Sequence, residues 1–182
     1  MPSLPIPTRR RFVQSGDVRL HVVEAGPTDG DPVVLLHGFP EFWYGWRHQI
    51  PALAEAGYRV LVPDQRGYHR SDAPAEISAY DLSHLANDVR AVVASTGSDR
   101  AHVIGHDWGA AVAWALAAWH PEAVRRLAIL NVPHLDVFRR TLRSSPAQLL
   151  RSVYIFLFQI PRLPEWLQIG RASCRERVFP VV

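Results

Sequence analysis

Lysine is missing from this chain of 182 residues; its twenty basic side chains are all arginine. Cysteine and methionine each occur once, at Cys174 and Met1. A single cysteine excludes a disulfide framework and any thiolate metal or redox motif, so no metal and no cofactor is expected. No run approaches the ~20 apolar residues of a membrane-spanning helix, and no membrane partner is expected. Met1 to Arg11 holds three prolines and three arginines but lacks the apolar stretch of a secretory signal, so the expected location is cytoplasmic. The net charge is only +3, with no basic run that would mark a nucleic-acid partner. Arginine as the sole base, together with alanine-rich helical segments, is a composition expected of a GC-rich bacterial genome.

What is present is an alternation of short apolar runs with helical segments. Arg9–Ser15 and Val18–Ala25 flank Gly16-Asp17 and alternate apolar with polar, which predicts a β-hairpin. Val33–Leu36 is a short continuous apolar run, as expected of a strand buried on both faces of a parallel sheet. A helix is predicted from Trp46 to Glu55, stopped by Gly57, and a strand over Tyr58–Pro63. Asp81 is expected to cap a helix that runs to about Ser95, with Leu82, Leu85, Val89, Val92 and Val93 on one face. A strand at Ala101–Ile104, a helix to Trp119 and a strand at Arg125–Leu130 follow. Strands and helices in this order define an α/β fold with a mostly parallel sheet.

Between the strand at Ala101–Ile104 and its helix stand Gly105-His106-Asp107-Trp108-Gly109. Two glycines bracket a chain that must reverse within a few residues, and such an elbow pushes its central residue out above the sheet. That residue is usually a serine; here it is Asp107. A carboxylate nucleophile attacks an sp3 carbon and leaves an alkyl ester on the protein. The expected chemistry is the opening of an epoxide or the displacement of a halide.

Four segments appear in sequence: His37-Gly38-Phe39-Pro40-Glu41-Phe42-Trp43-Tyr44-Gly45-Trp46-Arg47, Asp64-Gln65-Arg66-Gly67-Tyr68, the elbow, and Asn131-Val132-Pro133-His134. Together they resemble α/β-hydrolases of the epoxide hydrolase type over residues 9–168. The resemblance implies the N-terminal part of an α/β-hydrolase core over residues 1–133 and the start of a helical lid, or cap, over 134–168. It makes Asp107 the nucleophile and the backbone N–H groups of Phe39 and Trp108 the oxyanion hole. Gly38 and Pro40 are expected to orient the Phe39 peptide, and His37 and His106 to support the site through hydrogen bonds. A lid tyrosine lies five residues before the glutamine of a Phe-Gln-x-Pro segment, here Phe158-Gln159-Ile160-Pro161, so Tyr154 would give its proton to the epoxide oxygen. The partners implied are a small-molecule epoxide and water. Trp43 and Trp46 could line a pocket or fill the core, and the histidines other than His37 and His106 are expected at the surface or in loops.

The family's catalytic histidine follows the last strand, yet none of the nine histidines here lies beyond His134. Asn131 stands where some relatives carry the acid and cannot serve as one. Ile169 to Val178 resemble one reading frame of a common sequencing adapter, so residues 169–182 are expected to be a non-native tail behind a truncated lid. Without that stretch's three arginines and one glutamate the charge falls from +3 to about +1. The chain is therefore expected not to turn over. Two other readings remain. A haloalkane dehalogenase-like hydrolase shares the Asp nucleophile, but usually has Asn after His-Gly where this chain has Phe39. A non-catalytic ligand-binding protein of the same fold would not need the missing histidine.

Overall fold

A computed structural model describes residues 4–153. Tyr154, the Phe158–Pro161 segment and the tail at 169–182 lie outside the described residues. Six strands form one sheet: β1 (Thr8–Ser15), β2 (Val18–Ala25), β3 (Pro32–Leu36), β4 (Arg59–Pro63), β5 (Ala101–His106) and β6 (Val124–Leu130). Their order is β1-β2-β4-β3-β5-β6. β3 runs parallel to β4 and β5, and β5 parallel to β6. β1 and β2 form the antiparallel hairpin, and β2 joins β4 antiparallel.

The continuous apolar runs are explained by the two layers of helix around this sheet. Val34 and Leu36 of β3, Leu61 of β4 and Val103 of β5 face one core, together with Ala86, Val89, Val92 and Val93 of α2 (Leu82–Ala94) and Val112, Ala113 and Leu116 of α3 (Trp108–Trp119). Val33 and Leu35, Val60 and Val62 face the other, against Trp43, Trp46 and Ile50 of α1 (Gln49–Glu55). Each strand therefore splits its side chains between two cores, and alternation by polarity disappears. Trp43 and Trp46 are buried in the second core, which resolves their sequence ambiguity in favour of packing.

Two local expectations are corrected. The helix predicted from Trp46 is instead a 3-10 turn at Trp43–Trp46 followed by α1 from Gln49. Pro51 is the cause: a helix already running at Trp46 would need an N–H at position 51 to bond the Arg47 carbonyl, whereas in the first turn of α1 no such donor is required. Asp81 does occupy the N-cap of α2, but its side chain makes no capping bond; its carbonyl instead accepts the amides of His84 at 2.9 Å and Leu85 at 3.1 Å.

Buried carboxylates of the fold are met by arginines. Glu24 of β2 is met by Arg9, Arg11 and Arg59 at 3.1, 2.9 and 2.8 Å. Arg66 grips both oxygens of Asp88 at 2.7 and 2.6 Å, tying the loop after β4 to α2. Such a bidentate pair satisfies both buried charges at once. Among the described residues β6 pairs only with β5, so it is a sheet edge; Arg125 and Arg126 are exposed on it, and charge on an edge discourages unwanted pairing.

The chain divides into two compact units between Val132 and Pro133. In the second, α4 (Leu135–Ser144) and α5 (Pro146–Arg151) are separated at Ser145. There the hydroxyl of Ser145 accepts the Gln148 amide at 3.3 Å, and Pro146 takes the first helical position, where its missing N–H costs nothing.

Candidate active site

Parallel pairing of β3 with β5 puts Leu36 opposite Gly105. The residues that follow each strand, 37–39 and 106–107, therefore emerge side by side at the carboxyl end of the sheet, where open α/β sheets bind ligands. Asp107 sits between β5 and α3 with φ 50° and ψ −121°, a backbone state that costs a non-glycine residue roughly 1–3 kcal/mol. Its carbonyl accepts the Ala110 amide at 2.9 Å and so begins the helix. Gly109 lets the turn close: a Cβ there would meet the Leu36 and His37 carbonyl oxygens.

The loop after β3 presses against the elbow. A Cβ on Gly38 would fall 2.5 Å from Asp107 Cβ and 2.6 Å from its Oδ2. This approach brings the Phe39 N–H to Asp107 Oδ2 at 3.0 Å. The Phe39–Pro40 peptide that follows is cis. Among the described residues, the Phe39 amide is the one that hydrogen-bonds this carboxylate; the Trp108 amide, at the first position of α3, makes no such bond here. One carboxylate oxygen is thus held by a backbone donor.

His37 is fully buried. Its Nε2 accepts the Gln65 amide at 3.0 Å, so Nδ1 carries the proton and donates to the Gly38 carbonyl at 2.9 Å. The neutral ring is a strut between the loops after β3 and β4. Gln65 adds a second tie from its side-chain amide to the His37 carbonyl at 2.6 Å. His106 lies between Asn131, whose Nδ2 is 3.1 Å from His106 Nε2, and Glu41, whose Oε2 is 3.3 Å from Nδ1. Asn131 takes φ 68° to do so. Sequence reasoning noted Tyr68 only as part of a motif. Its ring packs edge-on against His37 with centroids 4.9 Å apart. Burial, reinforced by the charge of Asp107, pushes its phenol up to about 12, so it stays protonated near the Asp107 carboxylate.

One expectation about histidine is overturned. His21 is neither at the surface nor in a loop but buried in β2. Its Nδ1 lies 2.7 Å from Asp64 Oδ2, and His69 Nδ1 approaches the same oxygen at 2.7 Å. The other oxygen, Oδ1, accepts the Trp43 amide at 2.9 Å. Asp64 therefore pins the 3-10 turn that follows the Phe39 loop. Burial alone would raise the Asp64 carboxyl; the bonds from His21, the Trp43 amide and His69 outweigh it and hold the group below the usual carboxylate range. His37 is shifted the other way from its charged form, because burial lowers its ring below the usual imidazole range.

Both shifts tie stability to pH in the same direction. As pH falls below about 6.5 the unfolded chain protonates His37 before the native one does, and below about 4 it protonates Asp64 first. Stability is then lost progressively towards acid. Urea midpoints at pH 7, 5.5 and 4 should fall in that order, and Asp64→Asn should flatten the last step. A midpoint that holds or rises from pH 7 to 5.5 would contradict the buried neutral His37.

With this geometry established, comparison with known proteins gives a consistent answer. A sequence profile described as alpha/beta hydrolase fold matches residues 31–169, and the chain belongs to that family. Within it, the chain is similar to epoxide hydrolases. It is 48% identical over 169 residues to AB hydrolase superfamily protein YfhM of Bacillus subtilis (strain 168), covering 93% of this chain and 57% of that protein. It is 46% identical over 161 residues to Epoxide hydrolase A of Mycobacterium tuberculosis, covering 85% and 49%. It is 44% identical over 166 residues to Epoxide hydrolase 4 of Mus musculus, covering 91% and 46%. The crystal structure of Epoxide Hydrolase A from Mycobacterium thermoresistibile superposes with a TM-score of 0.68 at 50% identity, over 70% of this chain and 40% of that one. The chain spans about half the length of the curated relatives it matches. No helix among the described residues is long and apolar enough to cross a membrane.

Proposed function

We propose that the protein is a cytoplasmic hydrolase of the epoxide hydrolase type, which opens an epoxide through an ester on Asp107 to give a vicinal diol. The observation that carries this reading is the Phe39 amide 3.0 Å from Asp107 Oδ2 at a strained elbow. In the first step Oδ1 attacks an epoxide carbon, the carbon–oxygen bond of the ring breaks, and the alkoxide takes a proton, assigned to Tyr154. In the second, water adds to Asp107 Cγ. The negative charge that develops on Oδ2 then faces the Phe39 N–H, a donor of the kind worth roughly 10²–10³ in rate. Trp108 N–H is the second donor once the carboxylate is esterified. Collapse of this intermediate restores the carboxylate and frees the diol. His37, Pro40 and His106 are positioning residues for the two loops, and Gly38 leaves the room in which the Asp107 carboxylate meets the Phe39 amide.

The second step needs a base to take the proton of water. In the family that base is a late histidine, and none follows His134 here. The 182-residue chain is therefore proposed to stop at the ester. Incubation with an aryl epoxide, followed by intact mass, should show one adduct per chain and at most one equivalent of product. Continuous diol formation would overturn the stop, and an adduct formed from a bromoalkane but not from the epoxide would move the protein to the dehalogenase reading.

A further inference from the structure

The histidines on Asp64 suggest more than a hydrogen-bonded brace. We propose that His21, Asp64 and His69 form a binding site for a divalent metal ion of the zinc class. They are the one group of three such side chains among the described residues whose ligand atoms lie close enough to share an ion: one ligand atom from each falls within 4.8 Å of the other two, and both Nδ1 atoms lie 2.7 Å from Asp64 Oδ2. Two imidazoles and a carboxylate are the donor set that zinc, cobalt and nickel share, and a site with three protein ligands keeps its fourth position open.

Two further observations favour this reading. His69 holds φ 48°, a left-handed state that a non-glycine residue adopts at a cost. In paying it, the loop after β4 aims the imidazole at a carboxylate that already holds His21 and the Trp43 amide. Next, the site is closed on one side and open on the other: the His21 and Asp64 side chains are 2% and 0% exposed, whereas that of His69 is 19% exposed. An ion and its remaining water can enter past His69. His21 Nε2 is buried without a hydrogen-bond partner among the described residues, so a proton moved there finds no acceptor, a cost that the bonds to the ion must outweigh. On metal binding each ring proton shifts from Nδ1 to Nε2, which frees the Nδ1 lone pair for the ion and leaves the net charge of the imidazoles unchanged.

The hydrogen-bonded separations of 2.7 Å are shorter than ligands around one ion allow. Bonds of ~2.1 Å in tetrahedral array set ligand atoms roughly 3.3 Å apart. The rings must therefore withdraw from Asp64 by about half an ångström, a movement the loop-borne His69 can supply by rotating its side chain. Asp64 Oδ1 keeps the Trp43 amide throughout. The ion would thus fasten the loop after β4 to β2 and to the turn that follows the Phe39 loop.

The test uses the complete chain, stripped with a chelator and titrated with Zn2+ by calorimetry and with Co2+ by visible absorption. The expected result is one ion per chain at micromolar affinity or tighter, a tetrahedral cobalt spectrum, and a Tm that rises with metal concentration. His69→Asn and His69→Gly both suit the left-handed backbone, and each should weaken binding at least ~100-fold and remove the cobalt spectrum while the metal-free Tm stays near that of the parent. His120→Gln, which alters an imidazole outside the cluster, should bind as the parent does. Absence of binding, or binding that survives both His69 substitutions, would overturn the proposal.

Discussion

Asp107→Asn is expected to eliminate the covalent adduct altogether, the largest effect of any single substitution in this protein. The amide is nearly isosteric, and its oxygen can still accept the Phe39 N–H that now bonds Oδ2 at 3.0 Å. The elbow keeps its geometry, because the φ of 50° is set by Gly109 and the start of α3 rather than by the charge. What is lost is the nucleophile. An amide nitrogen does not attack an epoxide carbon at a useful rate, and loss of a nucleophile costs on the order of 10⁶ in well-studied hydrolases. Mass spectrometry of parent and variant after the same exposure should show the epoxide's mass added to the first and absent from the second, with far-ultraviolet circular dichroism unchanged. An adduct of equal yield in Asp107→Asn would place the nucleophile elsewhere and remove the basis of the proposed function.

Much of this geometry was legible in the sequence, and the exceptions share a cause. The hairpin around Gly16-Asp17 and the buried strands were readable because strand signals are local: turn residues at fixed offsets, and apolar runs too short for a helix. The elbow was readable for the same reason, since two glycines and an aspartate lie within five residues. Contacts between distant segments were not. His21 and Asp64 are 43 residues apart, and in β2 the polar residues His21 and Glu24 look like solvent-facing positions. They are buried because β2 is covered on both faces, with each polar group met by a partner from another strand or loop. His69 carries no periodic signal at all, and its role depends on a left-handed backbone that only coordinates reveal. The broken helix before α1 could have been read from Pro51, whose missing N–H is a local feature. Trp43 and Trp46 could not have been assigned, because a buried aromatic and a pocket-lining one have the same sequence signature.

The part of the proposed catalytic site that lies among the described residues is fixed by hydrogen bonds between loops. Its parts are backbone donors and buried struts: the Phe39 amide, the neutral His37 ring, the Gln65 ties and the Asp64 bracket on Trp43. Each fixes the distance between two loops that leave neighbouring strands. Preorganisation of this kind lets a donor act without reorganising during the reaction, and it makes the site sensitive to single atoms.

Gly38→Ala should reveal that sensitivity. The added methyl would lie 2.5 Å from Asp107 Cβ and 2.6 Å from Oδ2, inside any allowed contact, and both atoms belong to the proposed nucleophile. Gly38 does not occupy the left-handed region, so alanine brings no backbone strain of its own; the whole effect comes from the clash. Asp107 cannot retreat, because Gly109 already packs against the Leu36 and His37 carbonyls behind it. The loop must move instead, and His37 and Gln65 oppose that movement. A displacement of about 1 Å stretches the 3.0 Å Phe39 bond beyond hydrogen-bonding range. Loss of one such donor predicts a fall of roughly 10²–10³ in the rates of the steps that place charge on Oδ2. In the 182-residue chain, where ester formation draws charge away from Oδ2, adduct growth by mass spectrometry reports only the displaced carboxylate, with Tm measured alongside to separate a moved loop from an unfolded one. In a chain that also carries the late histidine, the deficit should be greater for ester hydrolysis than for ester formation, because the tetrahedral intermediate puts a full charge on the oxygen that Phe39 holds. Ester hydrolysis at the parental rate in that longer chain, with a parental Tm, would show that the Phe39 amide does no catalytic work.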